Sequence, residues 1–375
     1  MGSLATAAVA ALLFLSFSAG SLGTALADER FPPADEEALI DIINTGMTAQ
    51  RQPGLIVGIW IPGRGSLVRA FGTSDLASNA PMQIDDHVRI ASITKTFTGV
   101  ATLQLVDDGR LSLDDVLSNY LEGVDSGNRI TIRHLLSMTS GIYDFTSDDE
   151  FLKDFTDNPL MSFAPQDVLD ILKRHKPDFG PSEKVSYCDT NYILLGMIVE
   201  KVTSEPVQTT ITEKILKPLG LGHTSFPIAP AIPEPFAHGY YAGEDGKGEF
   251  KDYTATNPAV GWTAGAMIST LEDLRAWAKA LATGALLTPA THAEQMKFGT
   301  ITTKPLYVGY GLGIGNFGGL LGHNGAIFGY TTAMFYWPDA DAIVVLAGNQ
   351  ASNFSNATTE IAIQLAEHLF PSRIK

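Results

Sequence analysis

Ser92 and Lys95 stand three residues apart in the stretch RIASITKTF (89–97), among side chains that are otherwise mostly apolar or small. On a helix, that spacing puts both side chains on one face. A serine hydroxyl is a poor nucleophile at neutral pH and needs a neighbour to take its proton. A lysine withdrawn from water can serve, because burial disfavours its charged form. The pair alone is a weak signal, since average Ser and Lys frequencies give roughly one such spacing in a chain of this length. Ser372 and Lys375 repeat it at the polar C-terminus. Context separates the two pairs. Ser92 opens a helical stretch after strand-like sequence, at the positive end of the helix dipole, and Ile93, Phe97 and Val100 are available to cover the lysine stem.

Two downstream segments offer partners. In VSYCDTNYILLG, Tyr187 lies just before a helical run, and a phenolate stabilised by nearby cations can move protons. In LLGHNGAIFGY, His323-Asn324-Gly325 lies on a strand edge among glycines, where backbone can approach a ligand closely. A single tyrosine is usually packing and a single histidine usually structural. The information lies in the order SxxK, YxD, HxG.

The elements that must position these groups are legible from periodicity. Residues 34–50 read as an amphipathic helix, followed by two strands in PGLIVGIWIPG and SLVRAFGTSDL. Helical runs then take over: TFTGVATLQLVDDG with Gly109 as its cap, ITIRHLLSMTSG, PQDVLDILKRH, TNYILLGMIVEKVTS and PVQTTITEKILKPLG. STLEDLRAWAKALATG follows as a helix N-capped by Ser269 or Thr270. YGLGIGNFG, YTTAMFYWP and DAIVVLAGNQ read as strands, and NATTEIAIQLAEHLF as a closing helix. Strands at both ends with helices between predict an α/β (α+β) fold: an antiparallel sheet built from both chain ends, flanked by helices, with an inserted mainly helical domain. The expected division is a sheet subdomain of about 34–90 plus 258–375 and a helical subdomain of about 91–257.

Composition narrows the classes. A net charge of −16, from 41 acidic against 25 basic residues, argues against nucleic acid as a partner. No feature calls for a stable protein partner either. The single cysteine, Cys188, excludes an intrachain disulfide framework, and the eight histidines show no HExxH-like pairing, so neither metal nor other cofactor is expected. Residues 1–27 are uncharged, carry the run AVAALLFLSF and end in Ala25-Leu26-Ala27. That pattern predicts a cleaved signal peptide and a secreted or cell-envelope protein, with an uncleaved membrane anchor as the alternative.

With these motifs in place, the chain resembles the penicillin-recognising serine hydrolases, which include class C β-lactamases, related esterases and secreted D-alanyl-D-alanine carboxypeptidases. SxxK is a signature of β-lactamases and penicillin-binding proteins. The likeness runs through RIASITKTFTGVATLQLVDDGRLSLDD, ITIRHLLSMTSGIYDF, VSYCDTNYILLGMIVEKVT, TAGAMISTLEDL and GYGLGIG…LLGHNGAIFGY. It is strongest toward the carboxypeptidases, whose third motif also begins with histidine. The resemblance implies a β-lactamase/transpeptidase-like fold and an acyl-enzyme on Ser92, with Lys95 as base partner and Tyr187 as proton shuttle. It gives His323 a positive charge or a hydrogen bond near a substrate carboxylate. The N–H groups of Ser92 and Ala326, the residue after Gly325, would form the oxyanion hole, and Trp262 and Phe151 would line the cleft. Implied substrates are D-Ala-D-Ala peptides of peptidoglycan; β-lactams, small esters and slow-turnover penicillin binding are the alternatives.

One position departs from the pattern. Relatives carry YxN, and here the third residue is Asp189. An amide can donate to a substrate carbonyl, whereas an ionised carboxylate only accepts. Asp189 is therefore expected to pair with Lys95 and either to favour substrates that carry an amine or to weaken turnover of acyl-amides. Two rival motifs fail. Gly313 to Gly318 fits GxGxxG but precedes strand-like sequence in no βαβ unit, and no GxSxG nucleophile elbow occurs. Asn353 and Asn356 begin glycosylation sequons.

Overall fold

The computed structural model describes residues 30–243, 245–301, 309–352 and 357–371. The 1–27 segment, the asparagines of both sequons and the second Ser-Lys pair lie outside these residues.

The first strands are β1 (Gly54–Ile61), β2 (Gly65–Asp75) and β3 (Ala80–Pro81), preceded by α1 (Pro33–Ala49). Short ladders pair β4 (Val88–Arg89) with β7 (Ile268–Ser269) and β5 (Tyr240–Tyr241) with β6 (Lys251–Asp252). Late in the chain come β8 (Gly309–Tyr310), β9 (Gly315–Phe317), β10 (Leu320–Ile327), β11 (Tyr330–Trp337) and β12 (Ala342–Gly348). Among the described residues the main sheet has eight antiparallel strands in the order β3-β2-β1-β12-β11-β10-β9-β8. The pairing of β1 with β12, from Leu55 opposite Gly348 to Trp60 opposite Ile343, joins the two chain ends as periodicity predicted.

Every residue of β1, β11 and β12 is buried, so their apolar runs do not alternate. Such strands are covered on both faces. Of the late helices α10 (Leu271–Thr283), α11 (Pro289–Gln295) and α12 (Ala357–Leu369), the first and last pack on β11 and β12, and α1 packs on α12. Thr270 takes the N-cap position of α10, though its hydroxyl makes no capping bond.

Between β4 and β7 the chain is mainly helical. It holds α2 (Thr94–Asp107), α3 (Ile132–Leu136), α4 (Asp149–Asp157), α5 (Asp167–Leu172), α6 (Asp189–Thr203), α7 (Val207–Ile211), α8 (Lys217–Leu219) and α9 (Pro258–Gly265). The first of these, α2, is buried on all sides from Thr94 to Leu103 and packs on α6 and α9. It stops where Gly109 takes φ +67°, a conformation that costs glycine little. Periodicity did not reveal α4, whose only apolar residues are Phe151, Leu152 and Phe155. Its sequence signals are local: Asp148 caps it by accepting from Phe151 N–H at 2.8 Å, and acids fill its first turn. No helix among the described residues is long and apolar enough to cross a membrane.

The GxGxxG run is a strand connection. Gly313 has φ +78°, and a Cβ on Gly99 of α2 would lie 3.1 Å from its Cα, so two glycines let helix and loop backbones touch. The run then continues into β9. Because β9 pairs with Leu320–Gly322, residues 323–327 of β10 have one edge unpaired among the described residues, beside the turn that carries Ser92.

Candidate active site

Ser92 sits in a 3-10 turn, Ala91–Ile93, that runs directly into α2. The residue before it, Ala91, has φ +47°, a left-handed conformation that L residues adopt only when surrounding structure imposes it. That structure is identifiable. Thr332 Oγ1 of β11 donates to Ile90 O at 3.0 Å, Ile90 N–H donates to Met267 O at 2.9 Å, and Met267 N–H donates to Thr94 Oγ1 at 3.0 Å. Just upstream, the buried Arg89 donates to Pro230 O at 2.7 Å and Thr254 O at 3.1 Å. Gly325 completes the seat. A Cβ there would meet Ile90 O at 2.4 Å and Thr332 Oγ1 at 2.6 Å, so only glycine lets β10 press against the Ser92 turn. This accounts for the glycine of HxG.

Lys95 has no accessible side-chain surface. Its Nζ lies 2.9 Å from Ser92 Oγ, 2.5 Å from Asp189 Oδ1 and 2.8 Å from Ala264 O. Carboxylate and carbonyl oxygens only accept, so these two partners engage two N–H bonds. The remaining direction faces a hydroxyl, which can either donate or accept. With a neutral amine it holds a lone pair facing the Ser92 proton; with an ammonium it holds an N–H facing Ser92 Oγ. The geometry therefore fits both ends of a proton transfer without rearrangement.

Tyr187 precedes α6 and is half-buried. Its ring centre lies 4.9 Å from Lys95 Nζ and 6.0 Å from the His323 ring. His323 is fully buried on β10, with Nδ1 2.5 Å from Asn324 O and Nε2 3.0 Å from Tyr310 Oη. Since a carbonyl cannot donate, Nδ1 carries the hydrogen and Tyr310 O–H donates to Nε2. Burial, reinforced by the Lys95 charge, depresses the His323 pKa to about 3, so the ring is neutral at physiological pH. A neutral ring brings no charge to a substrate carboxylate, and both of its nitrogens already hold hydrogen bonds within the protein.

Asp189 opens α6 and keeps 23% of its side-chain surface exposed. Beside it, Asp144 is half-buried and accepts from Thr146 N–H at 3.2 Å. Burial and the adjacent Asp189 charge raise the Asp144 pKa to about 7.

The structure thus brings Ser92, Lys95, Tyr187, Asp189, His323 and Gly325 together, with Ala326 half-buried beside Gly325. The two expected cleft aromatics are almost wholly covered instead. Trp262, at φ +30°, is 9% exposed, and its ring lies against Gly196 of α6. Phe151 is 5% exposed, within a cluster formed with Phe145, Phe155 and Phe163. Reading residues alone missed three participants. The Ala264 carbonyl is a backbone group with no residue-type signal. Tyr310 was visible only as part of the YGLGIG run, and Asp144 only as part of SGIYDF.

Comparison with known proteins places this geometry among relatives. The chain is 33% identical over 199 residues to Protein flp of Staphylococcus aureus, covering 51% of this chain and 39% of that protein. It is 33% identical over 146 residues to a putative D-alanyl-D-alanine carboxypeptidase of Escherichia coli O157:H7, covering 36% and 33%. These alignments span well under two thirds of either relative's length. Among solved structures, a D-stereospecific amidohydrolase from Streptomyces sp. matches at TM-score 0.77 and 29% identity, over 90% of this chain and 98% of that one. The D-amino acid amidase of Ochrobactrum anthropi SV3 matches at TM-score 0.79 and 26% identity, over 91% and 100%. The beta-lactamase family model matches residues 39–368. The chain belongs to the beta-lactamase family, a serine hydrolase family of the β-lactamase and penicillin-binding type.

Proposed function

We propose that this protein hydrolyses amide bonds of D-amino acid derivatives through an acyl-enzyme on Ser92. The observation that carries this reading is the Ser92–Lys95 contact of 2.9 Å, with the other two Lys95 hydrogens engaged by Asp189 and Ala264. In acylation, Ser92 Oγ attacks the substrate carbonyl while its proton passes to Lys95. The N–H groups of Ser92 and Ala326 receive the developing oxyanion. Tyr187, next to Lys95, passes a proton to the leaving amine. A water then attacks the ester, and the same groups act in reverse.

Two substrate forms are compatible with this machinery. D-alanyl-D-alanine carboxypeptidase activity on peptidoglycan peptides follows from the sequence resemblance and the Escherichia coli relative, and export through residues 1–27 would bring the enzyme to such peptides. Action on D-amino acid amides is favoured by the neutral His323, which offers no charge to a substrate carboxylate, and by the amidohydrolase and amidase structures.

A fluorescent penicillin, a D-Ala-D-Ala peptide and a D-amino acid amide, each tried on the protein and on Ser92→Ala, test the reading. Labelling and hydrolysis that vanish in Ser92→Ala are the expected result. Hydrolysis that survives Ser92→Ala overturns it. A rapidly released penicillin adduct assigns a β-lactamase, and ester hydrolysis with neither labelling nor amide cleavage assigns an esterase.

A further inference from the structure

Asp189 is joined to the nucleophile through a single atom. Lys95 Nζ touches both Ser92 Oγ and Asp189 Oδ1, at 2.9 and 2.5 Å. Its other oxygen, Oδ2, accepts no hydrogen bond among the described residues, and the side chain keeps 23% of its surface. Beside the serine, the Asp189 carboxylate therefore has unused acceptor capacity and no donor of its own.

Consider what a substrate must place there. When Ser92 Oγ is bonded to the acyl carbon, a substituent on the acyl α-carbon is only three bonds from that oxygen. Asp189 Oδ1 and Ser92 Oγ share Lys95 Nζ as a contact, at 2.5 and 2.9 Å, so the carboxylate lies close to the oxygen that would carry the acyl group. A free α-ammonium brings three N–H donors and a positive charge. An N-acylated nitrogen brings one N–H and adds a carbonyl oxygen, which the carboxylate repels. Asp144 lies behind Asp189 and adds no positive charge, while His323 stays neutral. Among these groups, Lys95 is the only cation facing Asp189. An arriving ammonium shares that counter-ion and disfavours a second positive charge beside it, which suits the form of Lys95 that accepts the Ser92 proton.

We propose that Asp189 selects substrates whose scissile acyl group carries a free α-ammonium, so that amides and peptides with an unblocked D-residue are preferred to their N-acylated counterparts. This rests on the hydrolase reading above and names its substrate class.

The test compares D-alanine p-nitroanilide with N-acetyl-D-alanine p-nitroanilide on the protein and on Asp189→Asn. Any general damage to the Ser-Lys pair affects both substrates and cancels in the ratio of their kcat/KM values. The expected ratio favours the free amine, and Asp189→Asn lowers it by about 10- to 100-fold, the size of a hydrogen bond to a charged group. A ratio within twofold of one, or unchanged in Asp189→Asn, overturns the proposal. Should Asp189→Asn turn over neither substrate, calorimetry on Ser92→Ala and Ser92→Ala/Asp189→Asn decides with D-alanine amide and its N-acetyl form. Tighter binding of the free amine that disappears in the double variant supports it, and equal binding in Ser92→Ala overturns it. Turnover surviving in Ser92→Ala sinks the hydrolase reading independently of this preference.

Discussion

Lys95 and Asp189 form an ion pair at 2.5 Å in which the lysine is wholly buried and the carboxylate reaches solvent. The partial exposure of one partner limits the desolvation penalty that a fully buried pair carries. It also leaves the acid in contact with whatever enters the site.

Replacing Lys95 with Met keeps most of the buried stem and removes the group placed to take the Ser92 proton. Acylation by a penicillin should slow by about 10²- to 10⁴-fold, the range for a positioned acid–base group. Stopped-flow labelling checks this. A rate within a factor of ten of the original would exclude Lys95 as the base.

Gly325→Ala forces a Cβ to 2.4 Å from a backbone carbonyl, which cannot swing aside as a flexible side-chain tip can. The Ser92 turn must move, with a destabilisation of about 1–3 kcal/mol and a loss of acylation that exceeds it in consequence. Gly109→Ala is the control. Its Cβ meets open space at φ +67°, so it should cost about 1 kcal/mol through backbone strain and leave acylation intact. Denaturant unfolding and penicillin labelling of both variants separate the two effects.

His323 should not titrate in the folded protein between pH 8 and 5, as read from its imidazole NMR resonances. Its folded pKa of about 3 lies below the ordinary value of 6.5. The sign follows: its contribution to stability is present above pH 6.5 and is lost as pH falls toward 3, because the unfolded chain takes up the proton first. A resonance midpoint near 6.5 would show the ring to be open to water.

Asp144 works in the opposite sense. Its folded pKa of about 7 lies above the ordinary 3.8, so its contribution to stability is complete below pH 3.8 and is lost as pH rises through 7. Asp144→Asn mimics the protonated form at every pH. The Tm of this variant relative to the parent should therefore rise between pH 5 and 8, and a difference that stays flat across that range refutes the assignment.

Much of the fold was legible because periodicity follows from burial. The strands β1 and β2 and the helices α2, α6, α10 and α12 all fall where their apolar patterns put them. Helix α4 escaped because Phe151, Leu152 and Phe155 are the only apolar residues in an otherwise polar, acid-rich run. In the site, the order SxxK, YxD, HxG singled out side chains that do meet in space. The covered state of Trp262 and Phe151 was not readable, since an aromatic residue packs a core and lines a cleft with the same chemistry.

By itself the sequence determined which groups are present: a serine, a lysine, a tyrosine, a histidine and an acid where a relative has an amide, each on an element whose type its neighbours dictate. Only the tertiary structure decided their state. Lys95 is held by an acid 94 positions away and by a carbonyl from α9, His323 is neutral because the fold buries it beside that lysine, and Ala91 is strained because β10 and β11 close over it. Local sequence sets backbone preference and side-chain chemistry, whereas charge, tautomer and strain depend on groups that folding brings in from distant parts of the chain.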